Sequence, residues 1–188
     1  MYIRKALPKK LPLSNKGQLA ILFVGSGSAF TKKNYQNNIL IVKGDDHIMV
    51  DCGTRAPEAV SKLGRSIGDI RNFYITHSHA DHIGGLEEVM LTNRYVTRSK
   101  PHIFIPAHYQ TTLWEHSLRG GAEHNERHEG EGLGFEDFWV VHRPTERPDL
   151  PRNATEIQVG DINLKTFRTR HFPEQASSWE DSFYSVGL

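Results

Sequence analysis

Residues 76–86 read THSHADHIGGL, and four side chains that can bind a metal ion fall within six residues of this stretch: His77, His79, Asp81 and His82. The preceding residues, 73–76, have the apolar character of a short β-strand. In extended backbone, side chains two residues apart point to the same side, so His77 and His79 can bind one ion. Asp81 and His82 lie past the bend, where they could bind a second ion beside the first.

The residues that follow these four side chains also favour a metal site. Gly84 and Gly85 allow the backbone to pass close beneath the ligand residues. Leu86, Val89 and Met90 then have the spacing of a helix with one buried stripe. A hydrophilic, histidine-rich turn is the alternative, and it would be the better interpretation of a single His-x-His pair. Four ligands between a strand and a Gly-Gly-helix junction favour a metal site instead.

The spacing His-x-His-x-Asp-His-x-Gly-Gly resembles the metal signature of metallo-β-lactamase-fold hydrolases. Three further segments resemble the ribonuclease Z and cyclic-nucleotide phosphodiesterase branch: FVGSGSAF at 23–30, NNILI at 37–41 and MVDCG at 49–53. The resemblance covers residues 19–91 well and 156–188 loosely. It implies an α/β fold, the metallo-β-lactamase-like αββα sandwich, in which Asp51 steadies the site without being a ligand.

A catalytic zinc ion usually has three protein ligands and one open position, so His77 and His79 need a partner. His171 is the candidate, because it follows the predicted strand 162–167 and precedes another at 182–187, as the next histidine motif of the family does. The alternative is a surface histidine after a strand. Three imidazoles on zinc would make hydroxide available at neutral pH. We expect one or two zinc ions, with manganese as an alternative metal.

The rest of the chain supports an α/β layered domain. Apolar runs bounded by glycine or proline predict strands, and a glycine turn at 44–46 joins two of them. Two helices are expected on helical spacing between the strands. The predicted strands are 19–24, 39–42, 48–50, 73–76, 103–105, 156–159, 162–167 and 182–187, and the further predicted helices are 56–63 and 109–118. A strand, a crossover helix and another strand are typical of α/β folds.

Gly25-x-Gly27 offers a rival interpretation as a dinucleotide-binding loop. Phe30 stands where the third glycine should be, and a hairpin is expected to follow, so a tight exit from a strand is favoured.

Residues 115–149 differ in composition from the rest, with nine acidic residues against four arginines. We interpret about 115–150 as an inserted lid or loop within a single domain, 1–188. His124 and His128 imitate a helical zinc-protease motif there, but the required glutamate is displaced by one residue and glycines are frequent. A solvated loop is favoured.

The sequence departs from the family after His171. The family supplies a metal-bridging carboxylate after the following strand, whereas the acids here, Glu174, Glu180 and Asp181, all precede it. We therefore expect an incomplete domain whose C-terminal part is missing, and the 188-residue chain alone could be inactive. The second metal would have Asp81 and His82 alone. An unfinished sandwich should expose apolar sheet surface, which favours association, a homo-oligomer included.

Charge and cysteine content exclude several classes. Lys and Arg total 23 and Asp and Glu total 22, so net charge +1 argues against a nucleic-acid coat protein. Residues 1–43 carry eight basic and no acidic side chains, which could meet a phosphate-bearing partner or form a solvated arm. Cys52, the single cysteine, cannot form an internal disulfide, and this predicts a reducing cytoplasm. No apolar run reaches the ~18–20 residues of a membrane helix, so no membrane partner is expected.

The leading functional hypothesis is a metal-dependent hydrolase of phosphodiester bonds, with Asp81 as the catalytic residue that positions or deprotonates the attacking water. The acidic segment 115–149 would repel a polyanion, which favours a small phosphodiester substrate such as a cyclic nucleotide over RNA. Three alternatives stay open: a ribonuclease Z-like tRNA 3′ endonuclease, a lactone or thioester hydrolase, and a noncatalytic fragment that binds metal or a partner.

Overall fold

A computed structural model describes residues 10–188, and the predictions about the basic residues 1–9 lie outside the described part. Within residues 10–188 the strands are β1 (Ala20–Gly25), β2 (Asn38–Lys43), β3 (Asp46–Val50), β4 (Asn72–Tyr74), β5 (His102–Phe104), β6 (Arg127–His128), β7 (Glu131–Gly132), β8 (Val140–His142), β9 (Thr145–Glu146), β10 (Thr155–Val159), β11 (Ile162–Arg168) and β12 (Val186–Gly187). The α-helices are α1 (Ala56–Lys62), α2 (Ala80–Ile83), α3 (Leu86–Thr92), α4 (Ala107–Leu113), α5 (Arg119–Ala122) and α6 (Phe135–Phe138). The α/β class is confirmed.

The larger sheet has six strands in the order β1-β2-β3-β4-β5-β8. β1, β2 and β3 form an antiparallel meander, and the turn between β2 and β3 contains Gly44 at φ +60°, as the predicted glycine turn requires. β3, β4, β5 and β8 are parallel, so their carboxyl ends lie at one edge of the sheet. The loops that carry the candidate ligands His77 and His79 leave from that edge.

The smaller sheet has four antiparallel strands in the order β12-β11-β10-β9. In the hairpin β10–β11 the residues Ile157, Val159, Ile162 and Leu164 alternate with exposed ones and are buried, as the sequence predicts. They join one continuous hydrophobic cluster that also contains Ile48 and Val50 of β3. The two sheets therefore share one core.

The last strand is shorter than its sequence predicts. The sequence predicts a strand over residues 182–187, but only Val186–Gly187 pairs with β11. The preceding residues bond instead to the loop that carries His171: Phe183 N donates to Phe172 O at 2.7 Å, and Thr169 N donates to Ser185 O at 2.9 Å. Tertiary contacts thus override local strand propensity here.

Residues 115–150 contain more ordered structure than a loop. A π-helical turn, Trp114–Leu118, continues α4 and leads into α5, and the hairpin β6–β7 precedes α6. Apolar side chains of this region are buried in the shared core, among them Leu118, Phe135, Phe138 and Trp139. A role as a lid stays a prediction.

No helix among residues 10–188 has the length and the apolar character needed to span a bilayer.

One face of the edge strand β1 and the residue before it is apolar and exposed. Leu19, Ile21 and Phe23 alternate along the strand and are 64%, 57% and 64% exposed. Side chains at alternate positions share one face of a sheet, so these three form a contiguous apolar stripe. The larger sheet thus has an exposed apolar stripe at its edge strand β1, and apolar exposure caused by an incomplete sandwich stays a prediction.

We predict that the substitutions Ile21→Lys and Phe23→Lys together reduce self-association of the chain at high concentration. Two charges on an edge strand oppose strand-to-strand and face-to-face contact. Sedimentation velocity measures the effect, and Val96→Lys, which changes an exposed valine outside the stripe, is the matched control. Equal association of the double variant, the control variant and the unmodified chain would show that the stripe does not mediate self-association.

Candidate metal centre

The chain leaves β4 in extended conformation and carries two histidines to the same side. His77 is buried and His79 is exposed, and His79 has φ −74° and ψ 147° where it precedes α2. Nε2 of His77 and Nδ1 of His79 lie 3.1 Å apart. The period-two geometry expected from the sequence is present.

His171 joins these two histidines from the loop after β11. Its Nε2 lies 3.3 Å from Nδ1 of His79, and one ligand atom from each of the three histidines falls within 4.8 Å of the others. The loop is held by hydrogen bonds to Ser182, whose Oγ accepts from His171 N at 3.0 Å. Phe172 packs against the ring of His79 with centroids 4.4 Å apart. The structure thus brings together imidazoles from two distant segments, since His79 and His171 are 92 positions apart in the sequence.

The spacing of these nitrogen atoms suits the tetrahedral coordination of a metal ion. Zinc bonds imidazole nitrogen at about 2.0–2.1 Å, so two ligands of a tetrahedral site stand about 3.3 Å apart. The distances at His79, 3.1 Å to His77 and 3.3 Å to His171, are close to that value. Imidazole is a preferred donor for zinc. His77, His79 and His171 could therefore hold one zinc ion.

Asp51 anchors the base of this cluster. It follows β3 in the left-handed region, at φ 65°, and its side chain is 6% exposed. Its carboxylate accepts hydrogen bonds from Thr76 N at 2.8 Å and from His82 Nδ1 at 2.6 Å. Asp51 therefore holds Thr76 and His82 in place beside the histidine cluster, the steadying role that the family resemblance implies.

Thr76 links the carboxylate of Asp51 to the ring of His77 by hydrogen bonds. Its hydroxyl donates to Asp51 at 2.9–3.0 Å, and the same oxygen lies 2.9 Å from His77 Nδ1. Because the hydroxyl proton is directed to the carboxylate, His77 Nδ1 acts as the donor to Thr76. The lone pair of His77 is then on Nε2, the atom that faces His79. This bonded chain selects the tautomer that a metal ligand needs.

Asp81 and His82 lie beside the three-histidine cluster on the single turn of α2. His82 packs against His77 with ring centroids 3.9 Å apart, and its Nε2 lies 3.3 Å from Asp81 Oδ2. Both side chains are about four-fifths buried. Within residues 10–188 the structure groups His77, His79 and His171 as a set of three ligands and places Asp81 and His82 next to it as a pair.

Glycines allow the two loops of the site to touch. A Cβ atom on Gly53 would stand 2.0 Å from Asp81 O, and one on Gly84 would stand 2.2 Å from Thr54 Oγ1. Cys52 N donates to His82 O at 2.7 Å, and Gly85 N donates to Cys52 O at 2.8 Å. The loop after β3 and the ligand turn thus form one hydrogen-bonded unit, which explains the glycines that the sequence places there.

Two of the clustered histidines are held neutral. Burial, and after it the neighbouring His82, His171 and His79, together lower the pKa of His77 to about 3. Burial and then the charges of His79 and His82 also lower the pKa of His171, against the opposing effect of Asp81. A neutral imidazole is the form that binds a metal, so both rings are ready to do so at neutral pH.

The pKa of His82 shifts in the opposite direction. Burial opposes its charge, but the hydrogen bond and charge of Asp51, together with Asp81, outweigh burial and raise the pKa of His82.

Sequence reasoning missed a support behind the ligand turn. Ser78 stands between the first two histidines, and its hydroxyl lies 2.8 Å from that of Tyr109 on α4. Tyr109 stacks on Tyr184 with centroids 4.3 Å apart. His102 and His142 also pair, with Nδ1 and Nε2 2.7 Å apart. These contacts join distant segments, and no local pattern signals them.

Known proteins resemble this chain in sequence. The family model described as Anti-Pycsar protein Apyc1 matches residues 19–188. A protein of that name from Paenibacillus xerothermodurans is 44% identical over 160 residues, which are 85% of this chain and 60% of the relative. Another, from Bacillus phage BSP38, is 34% identical over 171 residues, 89% of this chain and 62% of the relative. The chain thus spans about three fifths of the length of these curated relatives.

Solved structures give the fold. Human short-form tRNase Z matches with a TM-score of 0.57 at 19% identity, covering 80% of this chain and 60% of that one. The metallo-β-lactamase fold protein YhfI from Bacillus subtilis matches with a TM-score of 0.56 at 16% identity, covering 81% of this chain and 53% of that one. The metallo-β-lactamase-like fold expected from the sequence is confirmed.

We predict that Asp51→Asn lowers the pKa of His82 in the metal-free protein, because the carboxylate that favours the imidazolium is lost. Asparagine tolerates the left-handed backbone of residue 51, so the loop is kept. An NMR titration of the histidine ring protons measures the change.

The same substitution has a defined effect on stability. Since the folded-state pKa of His82 is raised, its stabilisation is complete below the ordinary histidine value of about 6.5 and is lost as the pH rises through the folded value. The loss of unfolding free energy in Asp51→Asn, about 1–3 kcal/mol, should therefore be largest on the acid side of that interval. Asp45→Asn, in an exposed turn, is the control. An unchanged His82 titration would contradict this account of Asp51.

Proposed function

The chain belongs to the Anti-Pycsar protein Apyc1 family, and from this premise we propose that it is a zinc-dependent hydrolase that cleaves a small phosphodiester such as a cyclic nucleotide. The observation that carries the proposal is the convergence of His77, His79 and His171 beside the carboxylate of Asp81. A metallo-β-lactamase-like fold supports a hydrolase in general. The metal, the bond and the substrate are our proposals.

His77, His79 and His171 would hold the first ion. When bound, zinc acts as a Lewis acid and makes hydroxide available at neutral pH. Manganese could take its place where oxygen ligands dominate, but three imidazoles favour zinc. Asp81 and His82 would contribute to a second ion, and two ligands hold an ion weakly. We therefore expect the first position to be filled in this chain and the second to be filled weakly.

Asp81 is the proposed catalytic residue. Its carboxylate is 19% exposed at the edge of the cluster, so it can contact a water molecule that enters from solvent. His82 Nε2, 3.3 Å away, limits its orientations. A carboxylate in this position can accept the proton of the attacking water and hold that water in line. Thr76 and Asp51 keep the neighbouring rings in place during this step.

The distribution of charge supports a small substrate. Segment 115–149 carries nine acidic residues against four arginines. Arg119 pairs with Glu115 and Glu123, and Arg147 pairs with Asp149 and Glu156. Guanidinium groups that are neutralised in this way are poor partners for a polyanionic backbone.

A ribonuclease Z-like tRNA 3′ endonuclease is the second candidate. The eight basic and no acidic side chains of residues 1–43 favour it, since they could contact RNA phosphates.

We propose the cytoplasm as the compartment. Cys52 is the single cysteine, it is free and buried, and burial raises the pKa of its thiol. A buried thiol of this kind is inert and needs no oxidising environment.

We predict that the chain binds about one zinc ion tightly and that His79→Ala or His171→Ala weakens this binding about 100-fold or more, because the loss of a direct ligand exceeds the 10–100-fold effect of outer partners. Both side chains are exposed, so the variants should fold. Isothermal titration with zinc, with thermal melting as a check of folding, measures the effect. His128→Ala, an exposed histidine on β6, is the control. Equal zinc affinity in all four proteins would contradict the assignment.

We predict that the zinc-loaded chain hydrolyses cyclic mononucleotides and bis(p-nitrophenyl) phosphate faster than 3′-extended tRNA or a lactone. Asp81→Ala should reduce turnover about 10²–10⁴-fold while the zinc content of the three-histidine site changes little. Product formation by chromatography and zinc by elemental analysis are measured on the same samples.

Each other result selects an alternative. Dominant tRNA cleavage would assign the ribonuclease Z-like activity, and dominant lactone opening would assign a lactone or thioester hydrolase. Zinc binding without turnover of any substrate would indicate that this chain is a noncatalytic metal-binding fragment.

A further inference from the structure

A cavity of about 800 Å³ adjoins the metal centre on the side of β5 and β8. Thr155 of β10 and Thr166 of β11 form one wall, and the loops after β5 and β8 form another. Val186 of β12 contributes both to this cavity and to the cleft that contains His77 and His171. The two spaces are therefore neighbours separated by one strand, and the mechanism proposed above uses only the cleft.

The cavity is lined by cations. Four arginines and one carboxylate face it: Arg143, Arg147, Arg152, Arg168 and Glu146. Arg147 is committed to Asp149 and Glu156, and these pairs hold the loop between β9 and β10 in place. Among residues 10–188, the other three arginines form no ion pair with a carboxylate. A site with this excess of positive charge is suited to an anion.

Arg168, one of these lining arginines, is held in place by the residues around it. Its Nη2 donates to Ser182 O at 2.9 Å, and its guanidinium lies over the ring of Tyr184 at 5.4 Å. Its Nε is buried and has no hydrogen-bond partner. An unpaired buried N–H is costly, so the positive charge of Arg168 is poorly compensated where it stands.

The same cavity also offers flat apolar surface. Trp179, Tyr184 and Leu150 line it. Tyr184 is fixed by stacking on Tyr109 with centroids 4.3 Å apart, so this part of the wall is preorganised. A planar ring could pack against such side chains while an anionic group of the same molecule meets the arginines.

We propose that this cavity binds a small organic anion that joins a planar ring to a phosphate group, the chemistry of a nucleoside monophosphate. The volume suits one such molecule, since ligand sites commonly measure about 300–1,000 Å³. The site goes beyond the proposed hydrolysis, because none of its lining residues is a candidate metal ligand. Binding should therefore occur without metal.

Isothermal titration of the intact chain with uridine 5′-monophosphate, in the presence of EDTA, tests the proposal. We expect saturable binding that Arg152→Asn weakens about fivefold to tenfold, since a charge-assisted contact to phosphate is lost. Arg152 is exposed and has φ 61°, and asparagine tolerates that backbone, so the variant should fold. Arg98→Asn is the matched control, because Arg98 is also exposed, has φ 54° and lies outside the cavity.

Tryptophan fluorescence places the bound molecule. Trp114 and Trp139 are buried in the core, whereas Trp179 lines the cavity, so the nucleotide should change the emission of the chain and not that of Trp179→Phe. Uridine and inorganic phosphate, tested separately, should each bind at least about tenfold more weakly than the nucleotide.

Three results would overturn the proposal: no saturable binding at millimolar nucleotide, equal binding by Arg152→Asn and the unmodified chain, or inorganic phosphate binding as tightly as the nucleotide. Because metal is absent from the experiment, failure here leaves the zinc and hydrolysis predictions untouched.

Discussion

The carboxylate of Asp51 is the contact on which the candidate centre depends. It is buried at the end of β3, in a backbone conformation that few residues adopt, and its acceptor capacity is used by Thr76 and His82. Through the hydroxyl of Thr76 it sets the tautomer of His77, and directly it sets that of His82. One side chain thus orients His77 in the three-histidine set and His82 in the neighbouring pair. These hydrogen bonds offset the cost of burying its charge.

The parallel order of β3, β4 and β5 explains why this carboxylate is within reach. Parallel neighbours end at the same sheet edge, so the residue after β3 and the residues after β4 meet there without a long connection. Gly53, Gly84 and Gly85 then permit backbone contacts that any side chain would prevent. The positions of the ligand residues therefore depend on the close backbone packing that these glycines permit.

Local sequence patterns accounted for much of this arrangement. The ligand motif, the early strands, the hairpin β10–β11 and the approach of His171 to the first two histidines follow from spacing and from the family resemblance. Other features depend on contacts between distant segments, which local propensity does not report. Ser182 to Ser185 bond to the loop of His171 instead of extending β12, and Phe135, Phe138 and Trp139 pack into the core from a segment whose composition is mainly polar. The hydrogen bond between Tyr109 and Ser78 is of the same kind, since 31 positions separate these two residues in the sequence.

The third histidine ties the metal centre to the junction of the two sheets. His77 and His79 leave the larger sheet, whereas His171 leaves β11 of the smaller one, and β12 donates a backbone hydrogen bond to Thr76 O from Val186. An ion bound by all three rings would therefore bridge the sheets as well as fill a site. Because an ion that binds only the folded arrangement stabilises it by mass action, metal affinity and the docking of the smaller sheet are linked quantities. An ion held there would thus join the two sheets in addition to serving the proposed hydrolysis.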